Sequence, residues 1–418
     1  MIKIFKFGGA SVKDAEGVKT LANILSLYKS DEVLIVVSAM GKTTNSLEKL
    51  VESYVNKAAD VQQYFGEIKQ YHEDNITGLF ADHSNPVFDD VANAFIEVDW
   101  MLEDEPHPDY DFNYDQIVSI GELVSSRIVG AYLNSIGINT KWIDARGFIH
   151  TDNRYREGQI DLAKTTAAIQ SLHGVLAEQF VITQGFIGGT SENFTTTLGR
   201  EGSDYSAAIF ASCLGAESLT IWKDVPGVLN ADPKLFNDTK VYSHLPYVEA
   251  LEMSYYGASV IHPKTIKPLQ NAGIPLFVRP FMQPGESGTR IDSEPDFDKS
   301  FPAIIVKKEQ ILLTLRSADL SFIDEAVLSS IFNALSLANI KINMMQVSAL
   351  SFSICTDFNE LKFKRLLNEL SRFNVRYNTG LELITIRHYT RADIERIIAK
   401  RTVLLEQLSR NTAQFVLR

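Results

Sequence analysis

Cysteine is almost absent from this chain: Cys213 and Cys355 are the only two in 418 residues, and neither has a histidine or second cysteine at metal-ligand spacing. A disulfide framework and a zinc site are excluded as organising features, and both thiols are expected to be ordinary buried side chains. Positive charge is not in excess either, since 40 basic against 52 acidic residues leave a net charge of −12. The chain as a whole lacks the electrostatic footprint of a nucleic-acid or anionic-membrane binder, although a local basic pocket stays open. No apolar run approaches the length of a membrane span, and the N-terminal run MIKIFKF meets Gly8-Gly9 before a leader's apolar core could form. A cytoplasmic enzyme or sensor is the expectation. Two nucleotide signatures are missing as well. No G-x-G-x-x-G follows a strand pattern, so a dinucleotide site has no support. Gly41-Lys42-Thr43 has the tail of a Walker A loop, but Val36 stands where its first glycine belongs.

What is present is an ordinary globular composition, 45% hydrophobic and 22% charged, long enough for two or three domains. Over residues 1–290, short β-branched runs (IKIFKF, VLIVVSA, NTKWIDA, QFVITQGF, SLTIWKDV, IPLFVRP) alternate with amphipathic or alanine-rich segments. The alternation predicts an α/β domain with a mostly parallel, buried sheet sandwiched by helices. The segment from Thr44 to Phe80 stays helical for longer than a crossover needs and reads as a helical elaboration. The acidic, proline-containing stretch 291–303 reads as a linker. Residues 304–418 then run strand ILLTLRS, helix, strands KINMMQVSA and SFSICTD, helix, strand LELITIRHY. That βαββαβ order predicts a ferredoxin-like plait. The tail after it offers one more helix and one terminal strand, too little for a second complete plait.

Five glycine-marked polar segments fall at the C-terminal ends of predicted strands, where open α/β sheets put their ligands. They are KFGGAS, VVSAMGKTTN, TQGFIGGT, TTTLGREGSDYSAA and WKDVPGVLNADPK. Singly, each is explained by turn chemistry and solvated lysines; five together ask for an anionic ligand. Lys6 lies in a strand read as buried on both sides, where an ammonium is costly unless it meets anions. A salt bridge at a frayed strand end is the plainer alternative. Gly8 and Gly9 would let backbone N–H groups come close to a phosphate. Asp204 can cap the following helix or fix Lys6 in place; Arg200 can decorate the surface or clamp a carboxylate bidentately. Glu122 reads first as the polar face of a helix.

These segments together resemble the aspartokinase family within the amino-acid kinase superfamily. KFGGASV is similar to its KFGGTSV signature, SIGELVSSR to its GELxS segment, TLGREGSDYSA to LGRGGSDYTA, WKDVPGVLNADPK to WTDVxGVYTADPR, and GASVIHPKTIKPL to GAKVLHPxT. The resemblance implies transfer of the γ-phosphoryl group of ATP to the β-carboxylate of L-aspartate, at the start of lysine, threonine and methionine biosynthesis. Mg²⁺ would be held mainly by phosphate oxygens and water, with no protein metal ligands. By position, the resemblance implies that Lys6 stabilises the transferring group, Asp204 orients Lys6, and the amides around Gly8 and Gly9 cradle phosphate oxygens. Arg200 would hold the substrate α-carboxylate and Glu122 its ammonium, with Ser38 and Thr44 lining the pocket. Lys223, Asp224, Leu229, Lys234 and Lys264 fall on the nucleotide side.

That side departs most from the family pattern. Lys223 stands for a common Thr, Leu229 for Tyr, Lys234 for Arg and Ser259 for Lys or Arg, while Glu201 replaces a Gly and is expected to point to solvent. Two readings of different class stay open: an active aspartate kinase, or a catalytically weak amino-acid sensor; a kinase for another small carboxylate is a milder variant. The presence of Lys6, Asp204, Arg200 and Glu122 favours the enzyme. The C-terminal plait resembles the ACT domain, which aspartokinases carry as a tandem pair. One complete ACT fold plus a reduced or strand-sharing second is expected, with homodimerisation through this region; a dimerisation module without a ligand is the alternative. In lysine-inhibited relatives the corresponding strand reads like NISVDxIxxSE; here it is NIKINMMQVSAL, with Asn343 near the expected Asp, Ala349 near the Glu, and Lys341 adding positive charge. Free lysine is therefore expected to inhibit weakly or not at all, unless Asp319 or Asp324 completes a site.

Overall fold

The computed structural model describes residues 1–258, 261–317 and 321–418; Ser259 and Asp319 lie outside that set. Contacts divide the chain into two units. The first comprises Met1–Val228, Val241–Leu251 and Ile261–Asp296, and the second Leu229–Lys240, Glu252–Val260 and Phe297–Arg418. The second unit thus takes two short segments from within the range 1–290.

In the first unit the β-branched runs form β1 (Ile2–Phe7), β2 (Glu32–Val37), β3 (Thr140–Trp142), β4 (Phe180–Gln184), β7 (Ser218–Lys223), β8 (His244–Pro246), β9 (Leu276–Pro280) and β10 (Thr289–Asp292). They make one sheet in the order β3-β4-β2-β1-β7-β9-β10-β8, parallel throughout except where β10 runs against β9. A short hairpin, β5 (Ile187–Gly189) with β6 (Thr195–Thr197), stands apart from it. The central strands are apolar on both faces because helices cover both. Phe5, Phe7, Val33, Ile35 and Val37 join a core with the helices Ala15–Ser26, Thr43–Val55 and Ile120–Ser135. Ile4, Leu34 and Val36, alternating with them, are fully buried as well. Lys6 belongs to the Ile4 set, and the helix Gly202–Leu214 packs on β1. That helix ends at Gly215, whose φ of 59° is the left-handed cap glycine adopts without strain.

The second unit is built on β11 (Ala303–Ser317), β12 (Met344–Val347), β13 (Phe352–Asp357), β14 (Phe373–Arg387), β15 (Val403–Leu408) and β16 (Thr412–Leu417). Their order is β12-β13-β11-β14-β16-β15, all antiparallel. The tail supplies two strands rather than the single one expected, because VLLEQL and TAQFVL fold back through a turn closed by the Ser409 N–H on the Thr412 carbonyl at 2.8 Å. β11 and β14 are 15 residues each, and their mutual register shifts between Lys307 and Gln310. Beyond the shift, Ile311, Leu313 and Leu315 pack with Ile331, Phe352 and Leu366. Before it, Ile304, Ile384 and Ile386 pack with Ile397, Phe415 and Leu417. Two cores are therefore strung on one pair of strands. Cys213 and Cys355 are free and buried. Among the described residues no helix is long and apolar enough to cross a membrane.

Candidate active site

At the C-terminal ends of the central strands, in the first unit, the Lys6 ammonium lies 2.6 Å from Asp204 Oδ1. Asp204 stands in the first turn of the helix Gly202–Leu214, where the helix dipole favours a carboxylate. The Lys223 ammonium, from the neighbouring strand β7, lies 3.8 Å from the other oxygen, Oδ2. Burial alone would push this carboxyl up, but the two ammoniums outweigh it and hold Asp204 below its usual range. Lys6, only 8% exposed, is thus compensated from within the protein, and its pairing reaches deep into the fold rather than sitting at a frayed strand end.

Around this pair the loops after β1 and β2 interlock. The Ser38 N–H donates to the Phe7 carbonyl at 3.1 Å and the Gly41 N–H to the Gly9 carbonyl at 2.9 Å. A side chain on Gly9 would start 2.7 Å from the Ala39 carbonyl oxygen, a clash that only glycine avoids. The Lys6 ammonium lies 3.5 Å from the point where a side chain on Gly8 would begin. Ser125 donates its hydroxyl to the Ser38 carbonyl at 2.7 Å, which ties the helix Ile120–Ser135 to the same loop, and Thr44 sits half-buried in the first turn of the helix Thr43–Val55.

Glu122 is not on a polar helix face. It is 2% exposed, and burial pushes its carboxyl up to about 8, opposed by backbone N–H groups, Ala39's among them, and by the Lys6 ammonium. One of its oxygens, Oε2, has no hydrogen-bond partner. A buried carboxyl with an oxygen left over is a place for a cation to enter.

The structure thus brings Lys6, Gly8, Gly9, Ser38, Thr44, Glu122, Asp204 and Lys223 into one neighbourhood. Arg200 is exposed in the loop that leads from β6 to the Asp204 helix. Asp224 is exposed just beyond β7, and the Lys264 ammonium lies 3.7 Å from where a side chain on Gly199 would begin. Leu229, half-buried, and Lys234, exposed, belong to the second unit. Glu201 does not point to solvent as expected. Its backbone is left-handed, with φ of 53°, and its carboxylate accepts the His262 N–H at 3.1 Å. The strain of a non-glycine residue there accompanies a tie to the segment that opens the helix Pro263–Ala272.

Asp115 was not foreseen. It is fully buried and accepts the Thr197 N–H at 2.8 Å, the Thr197 hydroxyl at 2.7 Å and the Arg156 N–H at 2.8 Å. Burial raises its carboxyl to about 6 against those three donors. It anchors the strand that feeds the Arg200 loop. The available signal was an acid inside YDQIV, on a helix whose neighbours Tyr114, Ile117 and Val118 are buried.

Among known proteins, the amino acid kinase family model matches residues 1–280. The chain is 31% identical to lysine-sensitive aspartokinase 3 of Escherichia coli (strain K12), over 92% of this chain and 86% of that protein. It is 31% identical to chloroplastic aspartokinase 1 of Arabidopsis thaliana over 88% of its length, and spans 65% of the plant protein. Its fold matches E. coli aspartokinase III solved with aspartate and ADP, with a TM-score of 0.84 at 27% identity, covering 100% of this chain and 96% of that one. The same enzyme solved with lysine and aspartate gives 0.81 at 28% identity, covering 99% and 95%. A family match over most of the chain, and relatives at this identity and coverage, place the protein in the amino acid kinase family, among its aspartokinases.

Proposed function

We propose that the protein transfers the γ-phosphoryl group of ATP to the β-carboxylate of L-aspartate, giving 4-phospho-L-aspartate and ADP. The observation that carries this reading is the neighbourhood of a buried lysine fixed by Asp204 and a buried Glu122 carboxyl with an unpartnered oxygen. Aspartate's ammonium is assigned to Glu122, its α-carboxylate to Arg200, and Ser38 and Thr44 to the lining of the same pocket. A β-carboxylate oxygen, already ionised near neutral pH, attacks phosphorus while the bond to the ADP oxygen breaks, so no general base is required. Catalysis is then positioning and charge stabilisation, for which Lys6 and the Gly8-Gly9 turn are placed.

Asp224 and Lys264, both in the first unit, are assigned to the nucleotide side. Among the described residues no group of three or more His, Cys, Asp or Glu could hold a metal ion, and Asp204 is engaged with two ammoniums. This chemistry suits phosphate oxygens rather than a bare cation, so Mg²⁺ would enter with the nucleotide, coordinated by its phosphates and water. We assign homodimer assembly to the second unit.

The test is coupled ADP release with Mg²⁺ and, in turn, aspartate, glutamate and buffer alone. Aspartate-dependent turnover is expected. Folded protein that releases no ADP above background would leave an amino-acid sensor, and faster release with glutamate would reassign the substrate.

A further inference from the structure

β6 is three residues long and pairs with β5 along one edge only. Its other edge is met by the side chains of a helix. From Tyr110–Val118, Gln116 accepts the Thr195 N–H at 3.0 Å and donates to the Thr195 carbonyl at 2.7 Å. Its neighbour Asp115 accepts the Thr197 N–H at 2.8 Å and the Thr197 hydroxyl at 2.7 Å. The Thr197 carbonyl takes the Gly158 N–H at 2.9 Å. Asp115 Oδ2, which holds the Thr197 amide, also takes the Arg156 N–H at 2.8 Å. Consecutive side chains thus do for β6 what a second neighbouring strand would do, in a place where Thr195, Thr197 and Asp115 are all buried and an unpaired amide is costly. This lock joins two segments of the candidate site. The helix Tyr110–Val118 runs through Ser119 into Ile120–Ser135, which carries Glu122. β6 runs straight into the loop that carries Arg200 and opens the Asp204 helix. Little slack separates lock from loop: the Leu198 N–H donates to the Phe186 carbonyl at 2.8 Å, and a side chain on Gly199 would start 3.2 Å from the Arg156 carbonyl oxygen.

An α-amino acid carries its ammonium and its α-carboxylate on one carbon, so the anion and the cation that receive them must keep one spacing. We propose that Asp115, with Gln116, is a positioning residue that holds this spacing by fixing the Arg200 loop relative to Glu122. The inference rests on the assignment of the substrate ammonium to Glu122 and of its α-carboxylate to Arg200. Neither Asp115 nor Gln116 touches the substrate. Their part is to remove in advance the freedom that the loop would otherwise lose on binding.

The experiment uses Asp115→Ala, Asp115→Asn and Gln116→Ala in the full chain, with aspartate and MgATP titrated separately by calorimetry. Asp115→Ala should weaken aspartate by about tenfold or more and leave MgATP within about threefold of wild type. Its amides over Leu198–Glu201 should exchange with deuterium about tenfold faster. In Asp115→Asn the amide oxygen can keep both N–H donors while the amide nitrogen donates to the Thr197 hydroxyl, so both affinities should stay within about threefold of wild type. Gln116→Ala leaves the Asp115 bonds in place and should weaken aspartate by about threefold to tenfold, again with MgATP spared; it decides the matter if Asp115→Ala does not fold. Wild-type aspartate affinity in the alanine variants overturns the proposal, as does an equal loss of aspartate and MgATP or unchanged exchange in the loop. A wild-type protein that binds aspartate but releases no ADP would count against the proposed reaction alone. One that binds no aspartate would overturn both.

Discussion

Asp204 and Glu122 are both carboxylates buried in the first unit, both under the influence of Lys6, and they are shifted in opposite directions. On the Asp204 side the compensating cations are the protein's own, in contact, and the anion is held ionised. On the Glu122 side the Lys6 ammonium acts more weakly than burial does and an oxygen has no hydrogen-bond partner, so desolvation wins and the neutral acid is favoured up to about pH 8. The first carboxylate is held by the protein's own ammoniums; the second is the one to which the proposed reading assigns the substrate ammonium. Burial of an acid therefore says little by itself, and what it touches decides whether it is a strut or a socket.

The largest expected effect comes from removing the shared cation. Lys6→Ala should reduce kcat by about 10²-fold or more, the scale of losing one preorganised electrostatic group; turnover within a few-fold of wild type would make Lys6 structural only. Next is Arg200→Ala. If Arg200 clamps the substrate carboxylate, the aspartate KM should rise by about 10- to 100-fold while MgATP affinity, read by calorimetry, changes by less than about threefold. Equal loss on both sides would move Arg200 to the phosphates.

Glu122→Gln tests the socket directly. In the folded protein this carboxyl titrates near 8, well above an unfolded glutamate. The folded state therefore binds the proton more tightly, and its stability declines as pH rises from the unfolded value through the folded one. At pH 7 the wild type carries that cost and the amide does not. The variant should melt a few degrees higher by calorimetry while binding aspartate poorly. In the wild type, aspartate affinity should improve as pH rises towards 8, since the ammonium needs the ionised carboxylate; in Glu122→Gln that slope should vanish. A variant that melts lower would mean the carboxylate is already paired.

The smallest effect concerns the second unit. Asn343 accepts from the Lys307 ammonium at 2.8 Å and donates to Gln310 at 2.8 Å, and Gln310 donates to Asp357 at 2.7 Å. Asp324 caps the helix Glu325–Leu337 by accepting the Val327 N–H. With Asn343 and Asp324 thus engaged, free lysine should inhibit the aspartate-dependent assay little. Titration of lysine, threonine and both at subsaturating aspartate checks this; strong inhibition by lysine alone below millimolar concentration would overturn it.

Much of the first unit was legible because its signals are local. Period-two and unbroken β-branched runs announced the parallel sheet, and a lysine inside IKIFKF demanded an anion. The motifs placed Asp204 as that anion's carrier. What sequence could not show are ties that join distant segments. Asp115 and Thr197 are 82 positions apart, and Glu201 and His262 are 61 apart; no periodicity links them. The same holds for Leu229–Lys240, which reads as part of the motif beginning WKDVPGV yet packs with the second unit, and for the last hairpin, whose turn interrupts a run that reads as one strand.

The paired strands β11 and β14 also bear on how the second unit comes apart. Because each of them lines both hydrophobic cores, no cut between the cores leaves two closed pieces: ending the chain after Arg387 would strip β14 of β16 and open an apolar edge along Ile384 and Ile386. The amides before and after the register shift at Lys307 should accordingly exchange with deuterium as one cooperative group, a single foldon in which loosening either end loosens the other.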